Sequence, residues 1–146
     1  MKISTKGRYG LRAMLHLALY SLGDHVALKT IAQMQNISEN YLEQVFSTLR
    51  KAGLVNSIKG AQGGYILARS ASDITVGDIL RILEGNLSVI DEVKDNINDD
   101  AESCITSSVW KKLNQSINST VDSITLEDLV DDYKNLKNNS AYNYCI

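Results

Sequence analysis

A change in the spacing of apolar residues within the first 67 positions is the feature that most constrains the fold. Apolar residues recur at helical spacing over residues 6–22, 29–35 and 39 to about 52. The pattern then becomes strand-like over two short segments, 54–58 and 65–67, which flank the glycine-rich turn GAQGG. The sequence therefore predicts a helix, a short helix, a third helix and a β-hairpin, in that order.

Polar residues with strong capping preferences mark the ends of these helices. Ser4 or Thr5 is placed to cap the first helix. Asn36 suits the left-handed conformation that ends the second helix, and Ser38 is placed to cap the third. The inner stripe of the third helix consists of Leu42, Val45, Phe46 and Leu49, and its outer surface of Asn40, Glu43, Gln44, Ser47 and Arg50. The third helix thus follows a tight turn and has an outer surface rich in hydrogen-bonding groups.

The second half of the chain predicts further helices. Thr75 and Asp78 have the spacing of a capping box that opens a helix. After an acidic, turn-prone segment, apolar residues recur every three or four positions, which indicates an amphipathic helix of about five turns. These residues are Ile105, Val109, Trp110, Leu113, Ile117, Val121 and Ile124. Thr125 with Asp128 opens a short final helix, and the polar residues 138–140 lead into an aromatic tail.

Charge is divided unevenly between the two halves of the chain. Residues 1–69 contain nine Lys or Arg and three acidic residues, whereas residues 70–146 contain six Lys or Arg and fourteen acidic residues. Net charges of +6 and −8 therefore underlie the overall charge of −2. A basic half suits a polyanionic partner and an acidic remainder favours solubility, although chance alone also produces such a split.

This order of elements is that of a winged helix-turn-helix, a mainly α fold with a small β-hairpin called the wing. In this fold the third helix enters the major groove of double-stranded DNA, and the wing reaches toward the backbone or the minor groove. Lys59, near the tip of the hairpin, supplies positive charge there. The alternative is an ordinary small helical core with a simple turn at residues 63–64, but together with the basic first half the pattern favours DNA binding.

Other functional classes lack their sequence signatures. His16 and His25, the only histidines, have no nucleophile or paired carboxylate placed to act with them, so we expect no enzyme. Cys104 and Cys145 lack metal-ligand spacing and predict no disulfide. No apolar run is long enough to cross a membrane and no secretory signal is visible, so we expect a cytoplasmic protein. A winged helix that binds a protein instead of DNA is the remaining alternative, and the composition of the third helix argues against it.

Four segments resemble signatures of the IscR and CymR regulators, also called the Rrf-two family. They are residues 2–10 (KISTKGRYG), 38–44 (SENYLEQ), 49–55 (LRKAGLV) and 59–65 (KGAQGGY). The resemblance covers about the first 85 residues without a gap and continues more weakly over residues 124–129. It implies a homodimer that binds a palindromic operator, usually as a repressor.

The resemblance also implies a set of DNA contacts. The recognition helix, which is the third helix, offers Ser38, Asn40, Tyr41, Glu43, Gln44, Ser47 and Arg50, while the wing adds Lys59 and the start of the first helix adds Arg8 and Tyr9. Glu43 is exceptional, because a carboxylate repels phosphate. It suits the site only if it accepts from a cytosine amino group or pairs with Arg50, and a solvated side chain is the alternative.

The long helix is expected to pair across the two-fold axis of the homodimer. The implied interface residues are Trp110, Leu113, Ile117, Val121 and Ile124. An apolar stripe beyond a complete small domain needs a partner to bury it, although folding back on its own domain is the alternative. We therefore divide the chain into a DNA-binding domain (1–85), a loop (86–103), a dimerisation helix with a short following helix (104–135) and a C-terminal tail (136–146).

The loop before the long helix distinguishes two kinds of sensor within the family. IscR-type members hold an iron–sulfur cluster there with three cysteines and a histidine. Here only Cys104 stands at such a position, and the other positions are occupied by Glu92, Asn98 and Ser107. Because thiolates make this ligation strong, we expect no cofactor and interpret Cys104 as a buried small apolar residue. An iron–sulfur or redox-sensing regulator of the IscR type is the alternative.

The last six residues, AYNYCI, resemble the ending of CymR-type regulators of cysteine metabolism. In those regulators the terminal isoleucine and its carboxylate dock in the active site of cysteine synthase, which then acts as a co-repressor. The resemblance implies the same partner for Tyr144 and Ile146, through capture of a C-terminal carboxylate. Cys145 stands where the family has a tyrosine, and a tail that packs on the dimer is the alternative.

Overall fold

The structure, a computed structural model, describes residues 1–91 and 100–144, with side chains up to residue 140. Its helices are α1 (Thr5–Tyr20), α2 (Leu28–Gln35), α3 (Glu39–Lys51), α4 (Val76–Glu84), α5 (Asp100–Ile105), α6 (Lys111–Ser123) and α7 (Leu126–Tyr144). A π-helical turn, Thr106–Trp110, joins α5 to α6, and a 3₁₀ turn, Ala71–Asp73, precedes α4. Strands β1 (Val55–Ile58) and β2 (Gly64–Leu67) pair antiparallel. The predicted fold class, mainly α with a β-hairpin wing, is confirmed.

Local hydrogen bonds confirm the predicted ends of the first three helices. The Ser4 hydroxyl accepts a hydrogen bond from the Gly7 N–H (3.3 Å), and the Ser38 hydroxyl accepts one from the Tyr41 N–H (3.4 Å). Both bonds satisfy first-turn donors that have no partner inside the helix. Asn36 ends α2 with a φ of 53°, the left-handed conformation that asparagine tolerates. The short turn at residues 36–38 thus sets the direction in which α3 leaves.

The hydrophobic core of the winged-helix domain lies between α1, α2, α3 and the hairpin. Its residues of 2% exposure or less include Met14, Leu17, Ile31, Leu42, Val45, Phe46, Leu49 and Leu54. All four residues predicted for the inner stripe of α3 are therefore buried, as their spacing indicates. Leu126, at the start of α7, is also fully buried in this core. The last helix consequently belongs to the same folded unit as the first three.

A backbone bridge holds the wing close to the body of the domain. The Val26 N–H donates to the Tyr65 carbonyl (2.8 Å), and the Tyr65 N–H donates to the Val26 carbonyl (2.9 Å). The Tyr65 ring packs on Phe46 of α3, with ring centroids 4.9 Å apart. A Cβ atom added at Gly64 would lie 2.3 Å from the Val26 carbonyl oxygen, so the close approach requires glycine. These contacts fix the position of the wing relative to α3.

Backbone pairing after α6 corrects the prediction that Ile124 lies on the long helix. Ile124 is extended, and its carbonyl accepts a hydrogen bond from the Val76 N–H (2.8 Å). On the other side of this bridge, the Leu126 N–H donates to the Ile74 carbonyl (2.9 Å). The apolar periodicity favours a helix at Ile124, but it reflects only local preference. The backbone hydrogen bonds to the distant residues 74 and 76 hold Ile124 in an extended conformation instead.

The final helix begins as predicted but is much longer. Thr125 and Asp128 form the capping box, with two reciprocal hydrogen bonds of 3.0 Å. The helix they open, α7, has 19 residues and continues through the polar residues 138–140, so the prediction of a short helix followed by a polar linker is wrong.

The segment before the long helix also differs from its prediction. The helix α5 begins at Asp100, within the segment predicted as a loop. None of the described helices combines the length and apolar character needed to cross a membrane.

Candidate nucleic-acid interface

The outer surface of α3 forms one side of the candidate interface. Asn40, Glu43, Gln44 and Arg50 are exposed there, and Ser47 and Tyr41 are partly exposed. Most of these residues line a shallow cleft together with Thr48 and Lys51. Ser38 lies at the first turn, where its hydroxyl serves as the N-cap. The amide and guanidinium groups provide donors and acceptors of the kind that read base edges.

A groove separates the recognition helix α3 from the wing. It is lined by the start of α2, by residues at both ends of α3 and by the hairpin. Three basic residues, Lys29, Arg50 and Lys59, contribute to its lining, together with the single acid Glu39. Lys59 is exposed beside the hairpin turn. Basic groups on both sides of the groove favour a polyanionic partner.

The side chain of Glu43 is not paired with Arg50 in the free chain. In the described ranges the ion pairs are Asp24–His25, Arg69–Asp78 and Arg81–Asp122. The predicted salt bridge between Glu43 and Arg50 is therefore not formed. The exposed carboxylate of Glu43 is left available to accept a hydrogen bond from a base amino group.

An aromatic contact joins the first turns of α1 to the recognition helix. Tyr9 and Tyr41 meet edge to face, with ring centroids 6.1 Å apart and ring planes at 86°. The Arg12 guanidinium lies 5.4 Å from the centroid of the Tyr9 ring, within cation–π range. Arg8 is exposed on the same helix. Sequence reasoning missed Arg12, although its position three residues after Tyr9 on the same helix is the signal that could have found this contact.

The stripe predicted for the dimer interface divides into two parts. The C-terminal part packs on a second buried cluster of the same chain: Ile117, Val121 and Ile124 contact Val76, Leu80 and Leu87. Farther toward the N-terminus, Leu113 is 44% exposed and Trp110 is partly exposed. Ile105 and Val109 are 41% and 40% exposed. The C-terminal part of the stripe is thus buried on its own chain. The exposed residues Ile105, Val109 and Leu113 form what we call the apolar ridge.

Arg81 joins α4 to the long helix. Its two terminal nitrogens donate to the Asp122 carboxylate at 2.7 and 2.8 Å, and one of them also donates to the Asn118 side-chain oxygen at 2.7 Å. The hydrogen bonds and the charge of each partner raise the pKa of Arg81 and lower the pKa of Asp122. This bidentate contact fixes the orientation of the long helix relative to α4.

The structure describes only some of the residues considered for a sensor site. Cys104 is exposed on α5, which corrects the expectation that it is buried. Ser107 is exposed in the π-helical turn, and Tyr144 is the last residue of α7. The predicted residues Glu92, Asn98 and Ile146 lie outside the described residues. Within the described ranges, no three His, Cys, Asp or Glu side chains are grouped so that they could hold a metal ion.

A winged helix with a polar recognition surface and a basic groove defines the class of the chain as a DNA-binding regulator. Residues 3–132 match the Rrf2 family, described as iron-dependent transcriptional regulators. The chain belongs to this family, and the resemblance found in its sequence is thereby confirmed.

Relatives of known name are transcriptional regulators and not enzymes. The chain is 47% identical over 129 residues to the HTH-type transcriptional regulator CymR of Bacillus subtilis (strain 168), covering 88% of this chain and 89% of that protein. It is 42% identical over 135 residues to IscR of Vibrio atlanticus (strain LGP32), covering 90% and 76%. The solved structure of CymR (YrzC), described as the global cysteine regulator of B. subtilis, matches with a TM-score of 0.77 and 45% identity, covering 90% of this chain and 97% of that one.

Proposed function

We propose that this chain represses genes of cysteine and sulfur metabolism by binding a palindromic operator as a homodimer. Membership of the Rrf2 family makes it a DNA-binding transcription regulator. The operator, the regulated genes and the contact residues are the proposed part. The observation that carries the proposal is the exposed polar surface of α3, which adjoins, at Arg50, the basic groove between α3 and the wing.

In the proposed complex the recognition helix enters the major groove. Gln44 is suited to pair with adenine and Arg50 with guanine, because their side chains match the paired hydrogen-bonding groups of those bases. Lys59 in the wing and Arg8 on α1 contact phosphates, which position the protein without reading sequence. The remaining proposed contacts are Tyr9, Ser38, Asn40, Tyr41, Glu43 and Ser47.

The apolar ridge of Ile105, Val109 and Leu113 supports the homodimer. Three large apolar side chains, each about two-fifths exposed on one helical segment, are stabilised when a second copy covers them. A two-fold axis makes the same ridge available on both chains. It would also place two recognition helices at equivalent sites, which a palindromic operator requires.

Cysteine metabolism is the proposed regulon because CymR, whose structure is described as a global cysteine regulator, is 47% identical to this chain. We also propose cysteine synthase as a partner of the tail, through Tyr144 and Ile146. The helix α7 runs as far as Tyr144, so the first of these two residues belongs to a defined element of the fold. Capture of a terminal carboxylate with an adjacent apolar side chain is an established mode of peptide recognition.

A salt titration with genomic DNA fragments selected by the purified protein tests DNA binding. The logarithm of the affinity should fall linearly with the logarithm of salt concentration, by about 0.9 for each phosphate neutralised. Gln44→Ala and Arg50→Ala should each reduce discrimination for the selected site by about 1–3 kcal/mol. Lys134→Ala, which removes an exposed charge from α7, is the matched control. Affinity insensitive to salt, or unaltered selectivity in Arg50→Ala, contradicts the proposal.

Deletion of Ile146 tests the partner. The deletion removes the terminal side chain and moves the carboxylate, so binding to purified cysteine synthase should be lost. Ser140→Ala, an exposed position on α7, is the control and should bind as the unmodified chain does. Equal affinity with and without Ile146 rules out docking through the tail.

One observation favours a second candidate, an iron–sulfur or redox sensor of the IscR type. Cys104 is exposed and immediately precedes Ile105 of the apolar ridge, so a dimer would bring two thiols toward the same interface. The absorbance spectrum of protein purified without oxygen separates the candidates. Visible bands from thiolate-to-iron charge transfer, lost in Cys104→Ser, support the cluster, and a spectrum without them supports the regulator without a cofactor.

A further inference from the structure

A small cavity lies where α1 meets the end of α2 and the side of α7. Its volume is about 190 Å³, and it is lined by Arg12, Leu15, His16, Leu19, Gln35 and Tyr133. Cavities of about 150 Å³ hold a molecule the size of benzene. The cavity is therefore large enough for an organic molecule of a few carbon atoms. It is separate from the recognition surface and from the apolar ridge.

Hydrogen bonds order the polar side of the cavity. The Arg12 Nε donates to the Gln35 side-chain oxygen (3.0 Å), and the Gln35 amide nitrogen donates to His16 Nδ1 (3.0 Å). His16 is 5% exposed, its Nε2 lies 3.0 Å from the Met34 sulfur, and burial lowers its pKa. A histidine that accepts at Nδ1 carries its proton on Nε2 and is neutral.

The lining consequently carries one net charge. Arg12 is cationic, His16 is neutral, and none of the six lining residues is a carboxylate. The opposite wall, Leu15 and Leu19, is apolar, and Tyr133 adds a phenol. A cation without a local counter-charge beside an apolar wall is complementary to a short molecule with a carboxylate at one end and a hydrocarbon body.

We propose that this cavity binds a small carboxylic acid with a short hydrocarbon chain, and that Arg12 links its occupancy to DNA binding. The carboxylate accepts from the Arg12 guanidinium, and the hydrocarbon part contacts Leu15 and Leu19. The link to DNA rests on the proposed function. Two contacts connect the cavity to the recognition helix. The Arg12 guanidinium lies 5.4 Å from the centroid of the Tyr9 ring, and the Tyr9 ring packs against Tyr41. A ligand that moves the Arg12 guanidinium toward the cavity changes its contact with the Tyr9 ring, and Tyr9 in turn packs against Tyr41.

The experiment first measures ligand binding without DNA, by saturation-transfer NMR. The probes are butyrate, the zwitterion L-2-aminobutyrate and the uncharged butyramide. We expect butyrate to bind and the other two not to, because the lining has no carboxylate for the ammonium group and butyramide has no charge to pair with Arg12. Arg12→Gln should weaken carboxylate binding by about tenfold or more, the effect of losing one charge-assisted hydrogen bond. Leu15→Phe keeps the charge but fills the cavity, and it should abolish binding.

Arg69→Gln is the matched control, because Arg69 is an exposed guanidinium remote from the cavity lining. It should bind butyrate as the unmodified chain does. Absence of carboxylate binding to the unmodified protein, or equal binding to Arg12→Gln and the unmodified protein, overturns the site. These results do not depend on DNA, so they are distinct from a failure of the proposed function.

The second measurement is DNA affinity with and without saturating butyrate, using the genomic fragment selected by the protein. The ligand should change the DNA affinity, and DNA should change the ligand affinity by the same factor, because coupling of two binding equilibria is reciprocal. The change should disappear in Leu15→Phe. Ligand binding with an unchanged DNA affinity overturns the link through Arg12.

Discussion

His16 is a buried histidine whose protonation should contribute to the loss of stability on acidification. Its pKa is lowered by burial from an ordinary value of 6.5. Below pH 6.5 the unfolded chain therefore binds a proton that the folded chain does not, and the free energy of unfolding falls as pH decreases until the folded value is reached. Urea unfolding at about pH 8 and about pH 5 measures this change.

His16→Gln should reduce the loss of stability on acidification, because it removes the group that titrates differently in the two states. His25→Gln is the matched control, since His25 is only partly buried and should leave the contribution of His16 in place. If the free energy of unfolding of His16→Gln depends on pH as strongly as that of the unmodified chain, the pH dependence does not come from His16.

The local roles of single residues were predictable from the sequence, and the contacts between distant ones were not. The capping hydroxyl of Ser38 and the left-handed Asn36 depend on neighbours within a few positions, so their residue types indicate them directly. Arg12 and Gln35 are 23 positions apart, and their hydrogen bond depends on how α1 crosses α2. The exposure of Cys104 depends likewise on which side of its helix the rest of the fold covers.

At the level of the elements, the wing depends on the absence of a side chain at Gly64. Gly64→Ala would place a Cβ against the Val26 carbonyl and push the hairpin away from the segment that precedes α2. We expect the free energy of unfolding to fall by about 1–3 kcal/mol, as in other overpacked sites. The affinity for the selected DNA should fall as well, because Lys59 moves with the hairpin.

The substitution Asn56→Gln provides the matched control for Gly64→Ala. Asn56 is exposed on β1 of the same hairpin and does not line the basic groove, so one added methylene group there should change neither stability nor DNA affinity. Chemical denaturation and fluorescence anisotropy measure the two quantities. Retention of full DNA affinity in Gly64→Ala would show that the position of the wing does not matter for binding.

The existence of most helices could be predicted, but α5, which begins in the segment assigned to a loop, and some of the boundaries could not. Apolar periodicity indicates where a helix has a buried side, and it placed α1 to α4 within a few residues of their observed ends. It fails at Ile124 because the next contact is a backbone bridge to Val76, a segment about 50 positions earlier. It fails again at residues 138–140, where weak helix formers continue a helix already established by its capping box.

For the whole molecule, the apolar ridge makes the assembly state a direct prediction. Leu113→Glu places a carboxylate in the proposed interface, where an unpaired charge is destabilising by about 3–5 kcal/mol. We expect a monomer by analytical ultracentrifugation at concentrations where the unmodified chain is a dimer. The affinity for the selected DNA should fall sharply with it, because two linked recognition helices bind more tightly than one.

Gln115→Glu is the control for Leu113→Glu, since it adds the same charge at an exposed polar position of α6. It should leave both the dimer and the DNA affinity unchanged. A dimer that persists in Leu113→Glu would place the interface elsewhere on the molecule.

The burial of Leu126 has a consequence for the lifetime of the protein. Its side chain fills part of the core between the first helices, although it lies about 40 positions beyond the predicted end of the DNA-binding domain. A shortened chain that stops before α7 would leave a void there, and the loss of one such leucine costs about 2–5 kcal/mol. That is a large part of the total stability of an ordinary domain. Truncation ahead of Leu126 should therefore yield fragments for degradation and not a free-standing competitor for the operator.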